Sequence, residues 1–365
     1  MNDKSRLIVV GGFLGAGKTT LLYETTKFLL NRGKKVGLIS NDQASELVDT
    51  AILLQTNVKV AEVSGSCFCC NFIGLIDSIK QVNANSVTDI IIAEPVGSCT
   101  DLSATIIQPL KANFNQDLLI SPLTVLADPF QLESIIAGKN AGLHASSAYI
   151  LKKQLEESDI IAITKTDLLK KEELELLREK VKLHYPDSEV MSISAKTGEG
   201  IDNWLKAVLS KTKSGQKIIK VDYDRYAEGE AVLGWLNASI LLEGSQTNWD
   251  ETARFILHDL SKKIEKQHCS VGHLKILLEN GSKYLIGNLT GSAQTISIRG
   301  EAGISDKAGI IINARIGVTP EILDKMMKKT LEKVAKNTIN MKITAWKCIS
   351  PGYPKPTFRY SKIVD

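Results

Sequence analysis

The chain has 365 residues, of which 43% are hydrophobic and 24% charged, and its formal net charge is +4. This length accommodates two domains, and the composition is that of an ordinary globular protein. The mild charge lacks the dense lysine and arginine clusters with interleaved aromatics that are typical of nucleic-acid binding, so we expect no nucleic-acid partner. No apolar run suits a membrane span, and residues 1–6 lead directly into the first predicted strand without a signal peptide. We therefore expect a cytoplasmic protein with no membrane partner.

A glycine-rich loop follows the first predicted strand, which covers 7–10. It reads Gly-Gly-Phe-Leu-Gly-Ala-Gly-Lys-Thr-Thr over 11–20 and matches the pattern G-x-x-x-x-G-K-(S/T). Glycines let successive backbone N–H groups turn inward on a phosphate, and the helix predicted over 20–31 points its positive end at the same place. We predict that Lys18 contacts the β- and γ-phosphates and that the Thr19 hydroxyl ligates Mg²⁺. The predicted nucleotide-binding residues here are Gly12, Gly15, Ala16, Gly17, Lys18, Thr19 and Thr20.

Two later strands of the same α/β pattern end in acidic residues. The strand predicted over 35–40 is followed by Asn41 and Asp42, and the strand over 89–93 is followed by Glu94. Because ligands collect at the carboxyl ends of parallel strands, we expect Asp42 and Glu94 beside the bound phosphates. Lys18 and Mg²⁺ would then neutralise the transferring phosphoryl group, and Glu94 or its neighbours would orient the attacking water. Lys18 and Glu94 are the predicted catalytic residues.

Two short motifs after later strands are typical of guanine recognition. Thr-Lys-Thr-Asp occupies 164–167 and Ser-Ala-Lys occupies 194–196, in the order and spacing found in GTPases. A carboxylate accepts hydrogen bonds from both N1–H and the exocyclic amine of guanine, whereas adenine offers no such pair of donors. We therefore predict that Asp167 sets a preference for GTP. The predicted base-binding residues are Thr164, Lys165, Asp167, Ser194, Ala195 and Lys196.

The alternation of strands and helices predicts a P-loop α/β domain over 1–212, with a mostly parallel sheet covered by helices on both faces. Residues 210–216 are rich in Ser, Lys and Gly, which is typical of a linker. Beyond them we predict a smaller α+β domain over 222–350. Its first strand is predicted over 231–242, and two amphipathic helices, over 249–267 and from 319 onward, are expected on one face of its sheet.

Three of the six cysteines fall within 67–70. In a reducing compartment such a cluster indicates metal binding or redox chemistry. Cys67 and Cys69 point the same way on an extended segment, and Cys70 closes from the adjacent turn. Three thiolates leave one position of a tetrahedral ion open, as a carrier that passes its ion on requires. A second set, His268, Cys269 and His273, has irregular spacing, and we interpret it as two surface histidines and a buried thiol.

Taken together, these motifs resemble the CobW family of P-loop GTPases, relatives of the nickel-enzyme maturation GTPases. The resemblance covers about residues 5–210 and rests on the phosphate loop, Cys-x-Cys-Cys, Glu94-x-x-Gly97 and Thr-Lys-Thr-Asp. It implies a metallochaperone that couples GTP binding and hydrolysis to delivery of zinc or cobalt to a client metalloprotein or a cobalamin-related enzyme. It also implies an acidic Mg²⁺ site and a cargo site, formed by Asp42, Asp49 and Glu94 and by Cys67, Cys69 and Cys70 respectively.

The chain departs from the family pattern in three places. Ser66 stands where the family usually has glycine, the loop after the second strand reads Asn-Asp-Gln-Ala over 41–44, and Cys99 adds a thiol that we expect near the γ-phosphate. Two other functions stay open. One is a GTP-dependent regulatory module without metal cargo, which could assist a corrinoid or methyl-transfer enzyme and whose cysteines are structural or redox-active. The other is an ATP-dependent enzyme of the same fold.

The motifs have no arginine finger close to them in the sequence. We therefore expect slow intrinsic GTP turnover that rises when a client, or a second subunit in a homodimer, completes the site.

Overall fold

A computed structural model describes residues 4–41, 58–84, 87–281, 283–290, 295–336 and 339–364. Two of the residues predicted beside Mg²⁺, Asp42 and Asp49, lie outside these ranges. The described strands form two sheets, one parallel and one antiparallel.

The first sheet has eight strands, all paired in parallel. They are β1 Ser5–Gly12, β2 Val36–Asn41, β3 Lys59–Val63, β4 Ile90–Glu94, β5 Leu118–Ile120, β6 Thr124–Ala127, β7 Ile160–Ile163 and β8 Glu189–Ser192. The order across the sheet is β3-β2-β4-β1-β6-β7-β8, and β5 pairs with the beginning of β1. Because the strands are parallel, the residues that follow their carboxyl ends meet along one edge of the sheet.

Helices cover both faces of this sheet. They are α1 Lys18–Leu30, α2 Phe72–Asn83, α3 Gln108–Phe114, α4 Pro129–Ile136, α5 Ala145–Glu157, α6 Lys171–His184 and α7 Ile201–Ser210. Side chains alternate between the faces along β1. Leu7 and Val9 therefore pack in one core with α2 and α5, whereas Ile8 and Val10 pack in another with α1 and α7. The predicted parallel sheet with helices on both faces is confirmed.

The second sheet is antiparallel, and two helices pack on one of its faces. Its strands are β9 Gly234–Asn248, β10 Val271–Glu279, β11 Tyr284–Thr290, β12 Thr295–Glu301, β13 Ile304–Ile316 and β14 Asn340–Ile349, in the order β12-β11-β10-β13-β9-β14. The helices are α9 Trp249–Lys266 and α10 Pro320–Ala335, and their apolar stripes share a core with this sheet. The predicted smaller α+β unit is confirmed in class.

The start of its first strand was predicted wrongly. An unpredicted helix, α8 Tyr223–Ala231, ends where the strand was predicted to begin, and β9 begins only at Gly234. The carboxylate of Asp222 accepts hydrogen bonds from the backbone N–H groups of Asp224 and Arg225, which caps this helix. The helix packs on α5, where the Ser147 hydroxyl donates to the Gly229 carbonyl at 2.8 Å. Helix α8 follows the predicted domain boundary at 212–222 in sequence, yet it packs against α5 of the first domain. The boundary itself stays a prediction.

The other face of the antiparallel sheet covers the glycine-rich loop and α1. Leu277 of β10 and Ile286 of β11 share a core with Ala16 and Leu21. A Cβ atom placed on Gly15, at φ +81°, would lie 3.2 Å from the carbonyl of Gly272. The second sheet is therefore a wall of the region where the first sheet presents its motifs.

The last residues return to the first sheet. The N–H of Thr357 donates to the carbonyl of Cys69 at 2.7 Å, and the Arg359 guanidinium pairs with Asp101 at 2.7 Å. Phe358 packs edge-on against Phe72 of α2. This tail strap, residues 350–364, lies beside the cysteine segment. Within the described ranges, no helix is long and apolar enough to cross a bilayer.

Candidate functional site

The loop between β1 and α1 curls around the ammonium group of Lys18. Its Nζ donates to the carbonyls of Gly12, at 2.8 Å, and Phe13, at 3.3 Å, and the side chain is buried. Gly12 has φ +134°, and a Cβ atom there would lie 2.5 Å from the Leu126 carbonyl, so no other residue fits. The loop therefore holds the predicted phosphate-binding lysine at the carboxyl end of β1.

Thr19, the residue after Lys18, links the start of α1 to the carboxyl end of β4. The Thr19 hydroxyl donates to the Glu94 carboxylate, whose oxygens lie 3.2 and 3.3 Å away, and both side chains are buried. Thr19 is in the first turn of α1, and Glu94 is the last residue of β4. A hydroxyl and a carboxylate are hard oxygen donors, which is the kind of ligand set that Mg²⁺ prefers. The structure thus brings together two of the four residues predicted to hold Mg²⁺.

A lysine of the second sheet also reaches this point, and the sequence analysis missed it. Lys275 of β10 donates from Nζ to the Thr19 hydroxyl at 3.3 Å. Two residues earlier, burial and the nearby cations Lys275, Arg315 and Lys18 hold the pKa of His273 well below its usual value. The signal was the alternation of polar and apolar residues along β10, which places His273 and Lys275 on the face opposite the apolar core.

The two predicted base-reading motifs meet at the ends of β7 and β8. The Ser194 hydroxyl donates to the Asp167 carboxylate at 2.7 Å, and Lys196 Nζ lies 3.8 Å from the same carboxylate. Thr164 donates to the Ala16 carbonyl at 2.9 Å, so this residue supports the glycine-rich loop. Lys165 adopts a left-handed backbone with φ +53° and pairs with Asp128 at 2.8 Å. The motifs therefore lie around the same loop that holds Lys18.

Three buried thiols converge beside this edge of the sheet. The Sγ atoms of Cys67 and Cys69 lie 2.9 Å apart, and Cys99 joins them so that all three sulfurs lie within 4.8 Å of one another. Among the described residues, this is the one group of three or more His, Cys, Asp or Glu side chains whose ligand atoms converge. Cys70 is only half-buried, and its Sγ lies 3.8 Å from that of Cys69.

The contacts among the thiols shift their pKa values in opposite directions. Hydrogen bonds from the thiols of Cys69, Cys70 and Cys99 hold the pKa of Cys67 well below its usual value. The same contact with Cys67 raises the pKa of Cys69 and of Cys99 well above the usual range. These contacts favour the deprotonated form of Cys67 over that of its neighbours.

Asn41, at the carboxyl end of β2, positions the cysteine loop. Its amide donates to the carbonyls of Val63 and Ser66, each at 2.8 Å, and its carbonyl oxygen accepts from the N–H of Phe68 at 2.8 Å. The N–H of Cys70 then donates to the Cys67 carbonyl at 3.0 Å, which closes a turn before α2 begins. The loop is thus attached to the same sheet edge as Lys18 and Glu94.

A cavity of about 310 Å³ lies beside Cys67 and Cys70. The protein surface around it consists of Gly65, Ser66, Cys67, Cys70, Glu230 and the tail-strap residues Gly352, Tyr353, Pro354 and Lys355. Glu230 of α8 is buried and accepts a hydrogen bond from the Ser98 hydroxyl at 2.5 Å. Burial raises the pKa of Glu230 to about 8. No sequence motif marks Glu230, which is more than 150 residues beyond the cysteine loop.

The interpretation of the second cysteine and histidine set was wrong in its details. His273 is buried, whereas Cys269 is half-exposed and His268 is exposed. Among the described residues, their ligand atoms do not belong to the group that converges. The Cys99 sulfur lies with those of Cys67 and Cys69, and its expected closeness to the γ-phosphate stays a prediction.

A glycine-rich loop around a buried lysine, at the end of the central strand of a parallel sheet, defines a P-loop nucleotide-binding protein. The profile described as "CobW/HypB/UreG, nucleotide-binding domain" matches residues 6–192, about half of the chain. The chain belongs to this family.

The proteins similar to the chain include two curated relatives and one solved structure. It is 29% identical over 220 residues to the zinc chaperone CobW of a Sinorhizobium species, covering 52% of this chain and 59% of that protein. It is 24% identical over 220 residues to zinc-regulated GTPase metalloprotein activator 1 of Dictyostelium discoideum, covering 52% and 46%. The chain thus spans about half the length of these relatives. The Zn(II)-bound YjiA GTPase of E. coli is 17% identical with a TM-score of 0.35, covering 90% of this chain and 99% of that one.

Proposed function

We propose that this protein is a GTP-hydrolysing metallochaperone that carries a divalent ion, zinc or cobalt, to a client metalloprotein or a cobalamin-related enzyme in the cytoplasm. The observation that carries the proposal is the buried thiol cluster at the same sheet edge as the phosphate loop. Membership of the nucleotide-binding family supports the GTPase part. The names of the two curated relatives, a zinc chaperone and a zinc-regulated activator, support the metal part.

The nucleotide half of the function uses residues around the phosphate loop. Lys18 would contact the β- and γ-phosphates, and Asp167, held by Ser194, would accept the two donors of guanine. Thr19 and Glu94 would hold Mg²⁺, which supplies neutralisation of phosphate charge when it is bound. Glu94, with its carboxylate already at the phosphate edge, would orient water. Asp42 and Asp49 are the further proposed ligands from the sequence.

The metal half of the function uses the thiols as cargo ligands. Thiolates suit zinc and other late divalent ions, and Cys67, Cys69 and Cys70 are the ligands that the sequence motif proposes. The cavity that opens beside Cys67 and Cys70 provides a route by which an ion could enter or leave. An open coordination position on that side would let a client ligand displace a protein ligand.

Catalysis by the isolated chain is expected to be slow, and a client or second subunit is expected to accelerate it. Lys275 supplies a cation near Thr19 from within the chain, but the motifs have no arginine close to them in the sequence. A partner that supplies a further positive charge to the phosphate site would couple GTP hydrolysis to delivery of the metal.

The test is metal and nucleotide binding by the full chain purified anaerobically under reducing conditions. We expect sub-micromolar zinc binding in competition with a chromophoric chelator, and its loss in a variant with Cys67→Ser, Cys69→Ser and Cys70→Ser. Cys348→Ser, a half-buried thiol of β14, is the matched control and should bind like wild type. Wild-type protein that binds no metal, or a triple variant that binds as well, would reject the cargo. Preference for ATP over GTP would reject the nucleotide assignment.

A further inference from the structure

We propose that Cys99 is the third ligand of the cargo metal, with Cys67 and Cys69, and that Cys70 is an exchange ligand at the mouth of the site. This inference rests on the proposed function and specifies its metal site. The consequence is that one metal ligand belongs to the segment that contacts the phosphate-loop lysine. The two sites are then joined by a few residues of backbone.

The thiol geometry favours Cys99 over Cys70 for the closed ligand set. Zn–S bonds of about 2.3 Å at tetrahedral angles place sulfurs about 3.8 Å apart. The sulfurs of Cys67, Cys69 and Cys99 already lie within 4.8 Å of one another, so small side-chain rotations would reach that spacing. All three side chains are buried, with at most 3% of their surface exposed. A buried set of three excludes water and retains the ion.

Cys70 differs from these three in exposure and in its contacts. It is half-buried, lines the cavity, and its sulfur accepts a hydrogen bond from the backbone N–H of Lys355 at 3.2 Å. The Lys355 contact places the tail strap directly over this sulfur. A ligand that faces a cavity is suited to receive an ion or pass it on, while the three buried sulfurs hold it.

Cys99 lies at the end of a short segment that begins at Glu94, beside the phosphate loop. Glu94 contacts Thr19, and Gly97 packs so closely on the phosphate loop that a Cβ atom there would lie 3.0 Å from Lys18 Nζ. Gln154 of α5 donates from its amide to the carbonyls of both Gly97, at 3.0 Å, and Cys99, at 2.7 Å. The N–H of Cys99 closes a turn with the Val96 carbonyl at 2.9 Å.

The turn from Val96 to Cys99 thus has Gly97 against Lys18 near one end and the proposed metal ligand at the other. When bound phosphates draw Lys18 away from its loop carbonyls, Gly97 loses this neighbour, and we expect the turn and the Cys99 sulfur to shift with it. We expect the zinc affinity of the protein to differ between its nucleotide-free, GDP-bound and GTP-bound forms for this reason. The segment from Glu94 to Cys99 is the connection.

The experiment compares Cys99→Ser with Cys70→Ser in the full chain, with Cys348→Ser as control. Co²⁺ is the spectroscopic probe, since its thiolate charge-transfer absorption grows with each sulfur bound, and zinc affinity is measured without nucleotide, with GDP and with a non-hydrolysable GTP analogue. Cys99→Ser should lose about one third of the absorption, weaken zinc binding about tenfold or more, and remove its dependence on nucleotide. Cys70→Ser should keep absorption and nucleotide dependence but exchange metal with a chelator at a changed rate.

Retained GTP affinity shows that each variant is folded, and Cys99→Ala provides a second test of the same position. If Cys70→Ser loses the absorption and Cys99→Ser keeps it, the inference is wrong while the proposed function stands. If Cys99→Ser loses absorption but keeps nucleotide dependence, the connection through the turn is wrong. Wild-type protein that binds neither Co²⁺ nor zinc would reject the proposed function and this site together.

Discussion

The phosphate loop and the thiol cluster lie at the same edge of the parallel sheet, but they are built differently. The phosphate loop is contiguous, and Lys18 is held by carbonyls five and six residues earlier. The thiol cluster combines Cys67 and Cys69 with Cys99, and it depends on Asn41 from one strand end and on the tail strap from the far end of the chain.

The two sites also differ in charge. The second sheet places Lys275 beside Thr19 of the phosphate loop. Together with burial, the positive charges of Lys275, Arg315 and Lys18 lower the pKa of His273. Beside the thiols, the buried acid Glu230 has its pKa raised to about 8 by burial. The phosphate loop therefore has cations from the second sheet beside it, whereas the thiols have an acid from α8 beside them. Two neighbouring sites at one sheet edge thus differ in charge because separate elements supply their surroundings.

The largest expected effect separates the two sites. Lys18→Ala removes the buried ammonium from the phosphate loop, so we expect GTP hydrolysis to fall about 100-fold or more. The thiols keep their supports from Asn41 and Gln154, so zinc affinity without nucleotide should fall far less than hydrolysis, while its dependence on nucleotide should be lost. Enzyme kinetics and zinc competition on the same preparation measure both. Equal loss of metal and nucleotide binding would show that the two sites do not form independently.

Asp167→Asn tests the nucleotide site more finely. The carboxylate of Asp167 is proposed to accept hydrogen bonds from N1–H and the exocyclic amine of guanine. In the variant an amide N–H group replaces one of the two accepting oxygens, so we expect the free energy of GTP binding to weaken by about 1.5–3 kcal/mol. Xanthosine triphosphate, which carries a carbonyl in place of the exocyclic amine, should gain affinity in the same variant. Competition between the two nucleotides, measured by isothermal titration, gives the ratio. An unchanged preference would show that Asp167 does not contact the base.

The pH dependence of folding stability tests the protonation of a buried acid, Glu157, near the thiols. Glu157 is fully buried beneath the segment that follows Cys99, where Thr100 and the N–H of Ser103 donate to it, and burial raises its pKa to about 8. Between the unfolded value of 4.5 and about 8, the folded chain holds a proton that the unfolded chain has lost. Stability should therefore fall as pH rises through this window, by at most about 1.4 kcal/mol per pH unit from this group.

Denaturant unfolding at several pH values isolates this contribution when wild type is compared with Glu157→Gln. The variant should show a shallower decline in unfolding free energy between pH 5 and 8. Parallel curves for the two proteins would mean that Glu157 is ionised in the folded state.

The smallest expected effect concerns the second sheet. Lys275→Ala removes a half-buried cation beside Thr19, and we expect GTP affinity to weaken by about 1 kcal/mol, roughly fivefold. Lys283→Ala is the matched control, because this exposed lysine near the start of β11 pairs with Glu301 instead. Fluorescent nucleotide titration measures both variants. A similar loss in the two would assign the effect to net charge rather than to position.

Much of the fold was readable because its signals are local. The apolar runs of β1, β4 and β7, together with the glycine-rich turn after β1, are typical of a parallel α/β sheet. These patterns are visible without knowledge of any distant contact. Helix α8 was missed because its capping aspartate lies in a polar stretch with a weak apolar pattern. The second sheet was predicted in class, but nothing local indicates that its free face lies against the phosphate loop.

The sequence by itself determined the phosphate loop, the placement of Glu94 at a strand end, and the pairing of the two base-reading motifs, because strand ends and turns follow from neighbouring residues. Only the tertiary structure decided that Cys99 joins Cys67 and Cys69, that Glu230 lines their cavity, and that Lys275 reaches Thr19. These contacts join residues from about 30 to more than 250 positions apart. These contacts depend on how the helices and sheets pack together. They could not be predicted from the spacing of residues along the chain, because that spacing does not determine the packing.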